Sequence, residues 1–219
     1  MRSVSTRLSP SALHKAVSAM VLALAACAPA VQAAGISLTF DSDAQGVIAA
    51  NGGSLAYNPA GYITEHDINA EDMVVVLPTA LLGDWSGYLN GTLSFDAINL
   101  SGVPSDWDGF GLVTITGTAG SVAFDLEPGA KPTTAWATYG TTLTTANFGA
   151  NLPSVLAQVT GVTIKLESHN GFDAGNPMNS DYNGFDNFKV TPAVPEPESW
   201  LLGAVGLLAL GGASRKRRA

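Results

Sequence analysis

Between residues 36 and 190 the chain runs in short stretches of Val, Ile, Leu, Thr and aromatic residues, broken by Gly, Asn, Asp and Pro. The breaks fall roughly every 8 to 12 residues, the spacing that antiparallel sandwiches produce. No window sustains a 3.6-residue apolar period, so a helical domain is excluded and an all-β antiparallel sandwich is predicted. Strands are expected at 36–40, 54–57, 61–64, 72–77, 91–98, 111–117, 122–126, 136–143, 159–167 and 185–190. The stretch 91–98 is the clearest. Leu93, Phe95 and Ala97 alternate with Thr92, Ser94 and Asp96, which makes a strand buried on one side only. Residues 153–158 are expected to make a single helical turn.

The two ends have a different character. Arg2, Arg7 and Lys15 precede an apolar stretch from Ala16 to Ala26, and Val31-Gln-Ala33 puts small residues before a cut at Ala34. Residues 1–33 therefore read as a secretory signal peptide, handled by the Sec machinery. A second cut stays open, because Leu24-Ala-Ala-Cys27 fits a lipobox in which Cys27, the only cysteine, is lipidated. At the other end, Pro195 and Pro197 flank Glu196 and hold the backbone extended. Residues 200–213 follow without a charge, and then Arg215, Lys216, Arg217 and Arg218. A helix of that length spans ~21 Å against a hydrocarbon core of ~30 Å. It suits a brief hold in the inner membrane, with the arginines kept on the cytoplasmic side.

Most of the basic residues leave with these ends. The full chain carries −8, but between residues 34 and 194 there are 16 acidic residues against three lysines, a net −13. Such a surface repels phosphate and argues against a nucleic-acid partner. With the cut after Ala33, the mature part has no cysteine, and its stability rests on its core and not on disulfides.

The tail 192–219, with its motif at 195–197, apolar helix at 200–213 and basic end at 215–218, resembles the PEP-CTERM sorting signal of Gram-negative bacteria. The resemblance implies a membrane-embedded exosortase as partner and removal of the tail. Within 34–191, the run Leu82-Gly-Asp-Trp-Ser-Gly-Tyr-Leu-Asn-Gly-Thr-Leu-Ser-Phe95 carries a second resemblance. With Gly61-Tyr-Ile-Thr64 before it, and a Trp136 strand, Leu152-Pro-Ser-Val-Leu-Ala157 and Gly184-Phe-Asp-Asn-Phe188 after it, the domain is similar to a laminin B (laminin IV type A) domain. That implies a jelly-roll β-sandwich related to galactose-binding-like domains. Val76-Leu-Pro78 departs from the family pattern, as does the length of the segment before the last strand.

Candidate sites follow from this layout. Asp41 and Asp43 end the first strand and Asp186 opens the last, so the three are expected to converge and hold a structural Ca2+ through carboxylate oxygens. The resemblance to galactose-binding-like domains points the same way; the competing reading is that these are turn-forming residues. The stretch 169–183 reads as a long tip loop, with Phe172 and Tyr182 as a stacking platform and Asp173 and Asp181 as hydroxyl ligands for a glycan. His66 and His169 read as residues of polar turns without a nucleophile nearby, and nothing else predicts catalysis. The expected protein is non-catalytic, exported to the cell surface or the exopolysaccharide matrix, and adhesive or structural. A polysaccharide hydrolase with a carboxylate pair in the tip loops is the alternative, and a purely structural surface protein that binds no glycan is a second.

Overall fold

The computed structural model describes residues 33–126, 131–173, 176 and 180–194. Eleven strands form two antiparallel sheets. They are β1 (Ile36–Leu38), β2 (Ile48–Asn51), β3 (Gly53–Asn58), β4 (Tyr62–Asp67), β5 (Met73–Val76), β6 (Thr92–Asn99), β7 (Leu112–Gly117), β8 (Gly120–Asp125), β9 (Ala137–Thr142), β10 (Val159–Lys165) and β11 (Tyr182–Thr191). One sheet has the order β3-β4-β11-β6-β9 with β1 beside the far half of β11, and the other runs β2-β5-β10-β7-β8. The expected sandwich is present, with one strand, β2, that is not among the strands expected from the sequence. The helical turn lies at Leu152–Leu156 with Pro153 in its first turn, where a missing N–H costs nothing.

Alternation dictates which side chains enter the core. In β6, Leu93, Phe95 and Ala97 are fully buried while Thr92, Ser94, Asp96 and Ile98 face out. In β7, Val113 and Ile115 point in and Leu112 and Thr114 out. The centre is aromatic: Phe95 lies 5.1 Å from Phe185 and 5.8 Å from Tyr139, and Tyr139 meets Phe110 edge-on at 4.9 Å. Such rings bury large areas and add a geometric preference for offset and edge contacts. Trp85 plugs the region between β5 and β6, buried, with its indole N–H donated to the Leu81 carbonyl at 2.8 Å.

β11 needs an irregularity to fit. Phe185 and Phe188 are both fully buried although three residues apart, which strict alternation forbids. A bulge between Asp186 and Lys189 resolves it, with Asn187 in the left-handed region at φ 49°. Asn takes that conformation more readily than most residues. At the N-terminal side, Ala33 packs against the core, and the Tyr88 hydroxyl donates to the Ala34 carbonyl.

Candidate functional site

The outer face of the six-stranded sheet carries the most distinctive surface. Cross-strand register arranges it in three rows. The first has Ser54, His66 and Tyr182 side by side, and the second has Ala56, Thr64, Gly184 and Ile98. In the third, Asn58 faces Tyr62 on one flank, and Asp186, Asp96 and Thr138 line up on the other. Small residues thus make a floor between two aromatic ridges. One ridge is Tyr62 against Trp136, edge-on at 5.2 Å, and the other is His66 against Tyr182, edge-on at 5.4 Å. Ser54, Ala56, Thr64, His66 and Tyr182 line a groove of about 280 Å³.

Gly184 makes the first ridge possible. A Cβ there would lie 2.7 Å from Ile98 Cγ2 and 3.0 Å from Trp136 Cη2, closer than side chains tolerate. Without it, the indole comes down over the β11 backbone while 42% of Trp136 stays exposed. A half-exposed tryptophan braced by a tyrosine presents a flat apolar surface to solvent.

Beside the aromatics lies a polar patch organised by the bulge. Asn187 Nδ2 donates to Asp96 Oδ2 at 3.0 Å and to Asp186 Oδ2 at 3.1 Å, and Thr138 Oγ1 donates to Asp96 Oδ1 at 2.6 Å. Burial raises the Asp186 pKa, and the charges of Asp96 and Asp41 push it the same way; the Asn187 amide and Lys189 offset part of this.

The residues chosen from the sequence fare differently. Tyr182 is on the groove, because β11 starts there and not at residue 185. Asp181 is a correction. It is fully buried, and its carboxylate accepts from the Ser168 and His169 amides, the Ser168 hydroxyl and Asn183 Nδ2, so it anchors the interior and meets no ligand. Phe172 and Asp173 stay in the tip loop, both half-buried, with Asp173 accepting from the Asn176 amide at 3.1 Å. His66 is no turn residue but part of β4, its ring against Tyr182. His169 Nδ1 lies 2.9 Å from Asp106.

The proposed cation ligands do not form one set. Asp43 Oδ1 accepts from the Gln45 amide at 2.7 Å, which is turn chemistry, and Asp41 Oδ2 accepts from Thr39 Oγ1 at 2.6 Å. Asp186 instead shares Asn187 with Asp96. Among the described residues no three His, Cys, Asp or Glu side chains are grouped to hold a metal ion. Cys27, Pro195, Glu196, Pro197, Arg215, Lys216, Arg217 and Arg218 lie outside the described residues. So does 200–213, and among the described residues no helix is long and apolar enough to cross a membrane.

A wider cleft of about 780 Å³ opens at one end of the sandwich, between loops 99–105 and 131–134. Its polar groups are engaged: Asn99 Nδ2 donates to the Val103 carbonyl and Ser105 Oγ, and Ser105 Oγ to the Pro132 carbonyl. It offers a ligand few free side-chain donors.

Comparison with known proteins bears on the tail and on the fold. Residues 193–218 match the PEP-CTERM protein-sorting motif, which marks the chain as exported and sorted to the cell surface. No curated protein matches the sequence. Among solved structures, the L4b domain of human laminin alpha-2 superposes with a TM-score of 0.56 at 10% identity, covering 74% of this chain and 98% of that one. A family 29 carbohydrate-binding module gives 0.43 at 16% identity, covering 73% and 92%. An N-terminal tandem of CBM22 domains from Paenibacillus barcinonensis gives 0.45 at 16%, covering 78% and 49%. At these identities the laminin match speaks for the fold alone.

Proposed function

We propose that this is a non-catalytic glycan-binding protein of the cell surface or exopolysaccharide matrix, using the outer face of the six-stranded sheet. The observation that carries the reading is the pair of aromatic ridges, Tyr62 with Trp136 and His66 with Tyr182, beside a floor of Ala56 and Thr64, with Gly184 beneath the indole. Sugar rings present flat C–H faces that stack on such side chains, and edge hydroxyls find partners in Ser54, Asn58, Thr138 and the carboxylates beyond. The signal peptide and Sec machinery export the chain, the tail holds it for a time in the inner membrane, and exosortase releases it.

Hydrolysis is the rival reading, favoured by carboxyls with raised pKa values, the usual mark of a general acid. Glu65, raised to about 8, and Glu167, raised to about 7, are of that kind, both chiefly through burial. Glu65, however, is fully buried on the inward side of β4, with a sheet between it and the groove. Incubating the chain with its producer's exopolysaccharide separates the readings. Retention without new reducing ends, falling about tenfold in Trp136→Ala, supports binding; liberated ends favour hydrolysis, and no retention leaves a purely structural protein.

A further inference from the structure

We infer that the glycan this face takes is cationic, a polymer containing free amino sugars, and that Asp96 and Asp186 select it. The inference rests on the glycan-binding reading of the groove and adds to it the charge of the ligand. Asp96 and Asp186 are paired across β6 and β11 on the outer face. Trp136 stands two residues from Thr138, the cross-strand partner of Asp96, so roughly 7 Å along the same face. Tyr62 lies one register place beyond Ile63 and Phe185, which sets it beside Asp186 at roughly the 5 Å spacing of adjacent strands. One sugar ring on the Tyr62–Trp136 ridge thus has both carboxylates within reach of its substituents.

The carboxylates retain acceptor capacity. Each offers about four lone-pair sites. Asp96 uses one oxygen for Thr138 and the other for Asn187, and Asp186 uses one for the Asn187 amide and the other for its side chain. These donors are neutral, so they fix the carboxylates in place without cancelling their charge. Asp41 adds a third negative charge that Asp186 feels, and Lys189 is the one basic side chain acting on it. An ammonium group is complementary to this patch twice over, through charge-assisted hydrogen bonds to the carboxylates and through attraction to the indole and phenol faces. A uronate or sulfated glycan meets repulsion here and from the acidic domain as a whole.

Titration calorimetry with the full-length chain in detergent, below the pKa of the sugar amine, tests this with three probes: a glucosamine hexamer, its N-acetylated counterpart and a galacturonate hexamer. The glucosamine hexamer is expected to bind roughly tenfold more tightly than the N-acetylated one, and the galacturonate hexamer not at all. Asp96→Asn and Asp186→Asn should remove that advantage and leave the N-acetylated hexamer unaffected. Asp125→Asn, on β8 of the other sheet, removes the same net charge and should change neither. Equal affinity for the two hexamers, or an equal loss in Asp125→Asn, overturns the selection for charge while leaving the glycan-binding face in place. Binding of none of the probes overturns both. A melting temperature raised by calcium alone, and lost in Asp186→Asn, makes the carboxylates a metal site and overturns the inference as well.

Discussion

Glu65 carries a carboxyl into the interior at an electrostatic cost. It is fully buried, and the Gly53 backbone lies directly beneath it, where a Cβ would come within 1.9 Å of Oε1. Burial, with Asp181 and Asp67 nearby, raises its pKa from 4.5 to about 8; the Val74 amide offsets only part of this. The folded protein therefore holds a proton that the unfolded chain releases near 4.5. Between those values the unfolded state binds fewer protons, so Glu65 lowers stability progressively as pH rises, and the loss levels off above about 8. Glu65→Gln removes the titration. The variant is expected to gain on the wild type by an amount on the order of a few kcal/mol at pH 8, and the gap should close toward pH 5. Urea unfolding across that range checks it, and a gap independent of pH would show that Glu65 does not titrate on folding. Nothing in the sequence singles out Glu65: the expected strand stops at Thr64 and His66 reads as a polar turn, and only the extension of β4 through Asp67 turns Glu65 and Asp67 inward.

At the scale of the element, β11 organises the sandwich, and its bulge does two jobs. It returns Phe188 to the core after Phe185, and it turns Asp186 and Asn187 toward Asp96 on the outer face. Asn187→Gly keeps the left-handed backbone but loses the amide bridge, whereas Asn187→Val cannot take φ 49° without strain. Chemical denaturation should find Asn187→Val less stable than Asn187→Gly by roughly 1–2 kcal/mol. Similar values would mean that the backbone at 187 is unstrained. The strand itself was partly legible. Gly184-Phe-Asp-Asn-Phe188 points to a closing strand, but two apolar residues three apart break the 2-residue period of a strand. The three residues before it were assigned to the tip loop. As loop residues Tyr182 and Asp181 look like companions on one platform, although the strand start separates them into a surface residue and an interior one.

At the scale of the molecule, the domain and its ends make separate demands. The described domain buries its own aromatic core. If export and release proceed as proposed, protein recovered from the producing organism will have an intact mass lacking residues 1–33 and the basic end 215–218, with no added lipid. A mass retaining Arg215 to Arg218 would make the protein a lasting resident of the inner membrane, and a lipid on Cys27 would move the first cut.

The sorting layout and the fold class were determined by the sequence alone, because both depend on local order: which residues follow which, and at what period. Charge was legible too, since residues 34–194 are acidic whatever their shape. The groove was decided only by tertiary structure. Tyr62 and His66 on β4, Trp136 and Tyr182 come from three stretches far apart along the chain, and they come together because strand register, set by the inward residues, fixes which outward residues become neighbours.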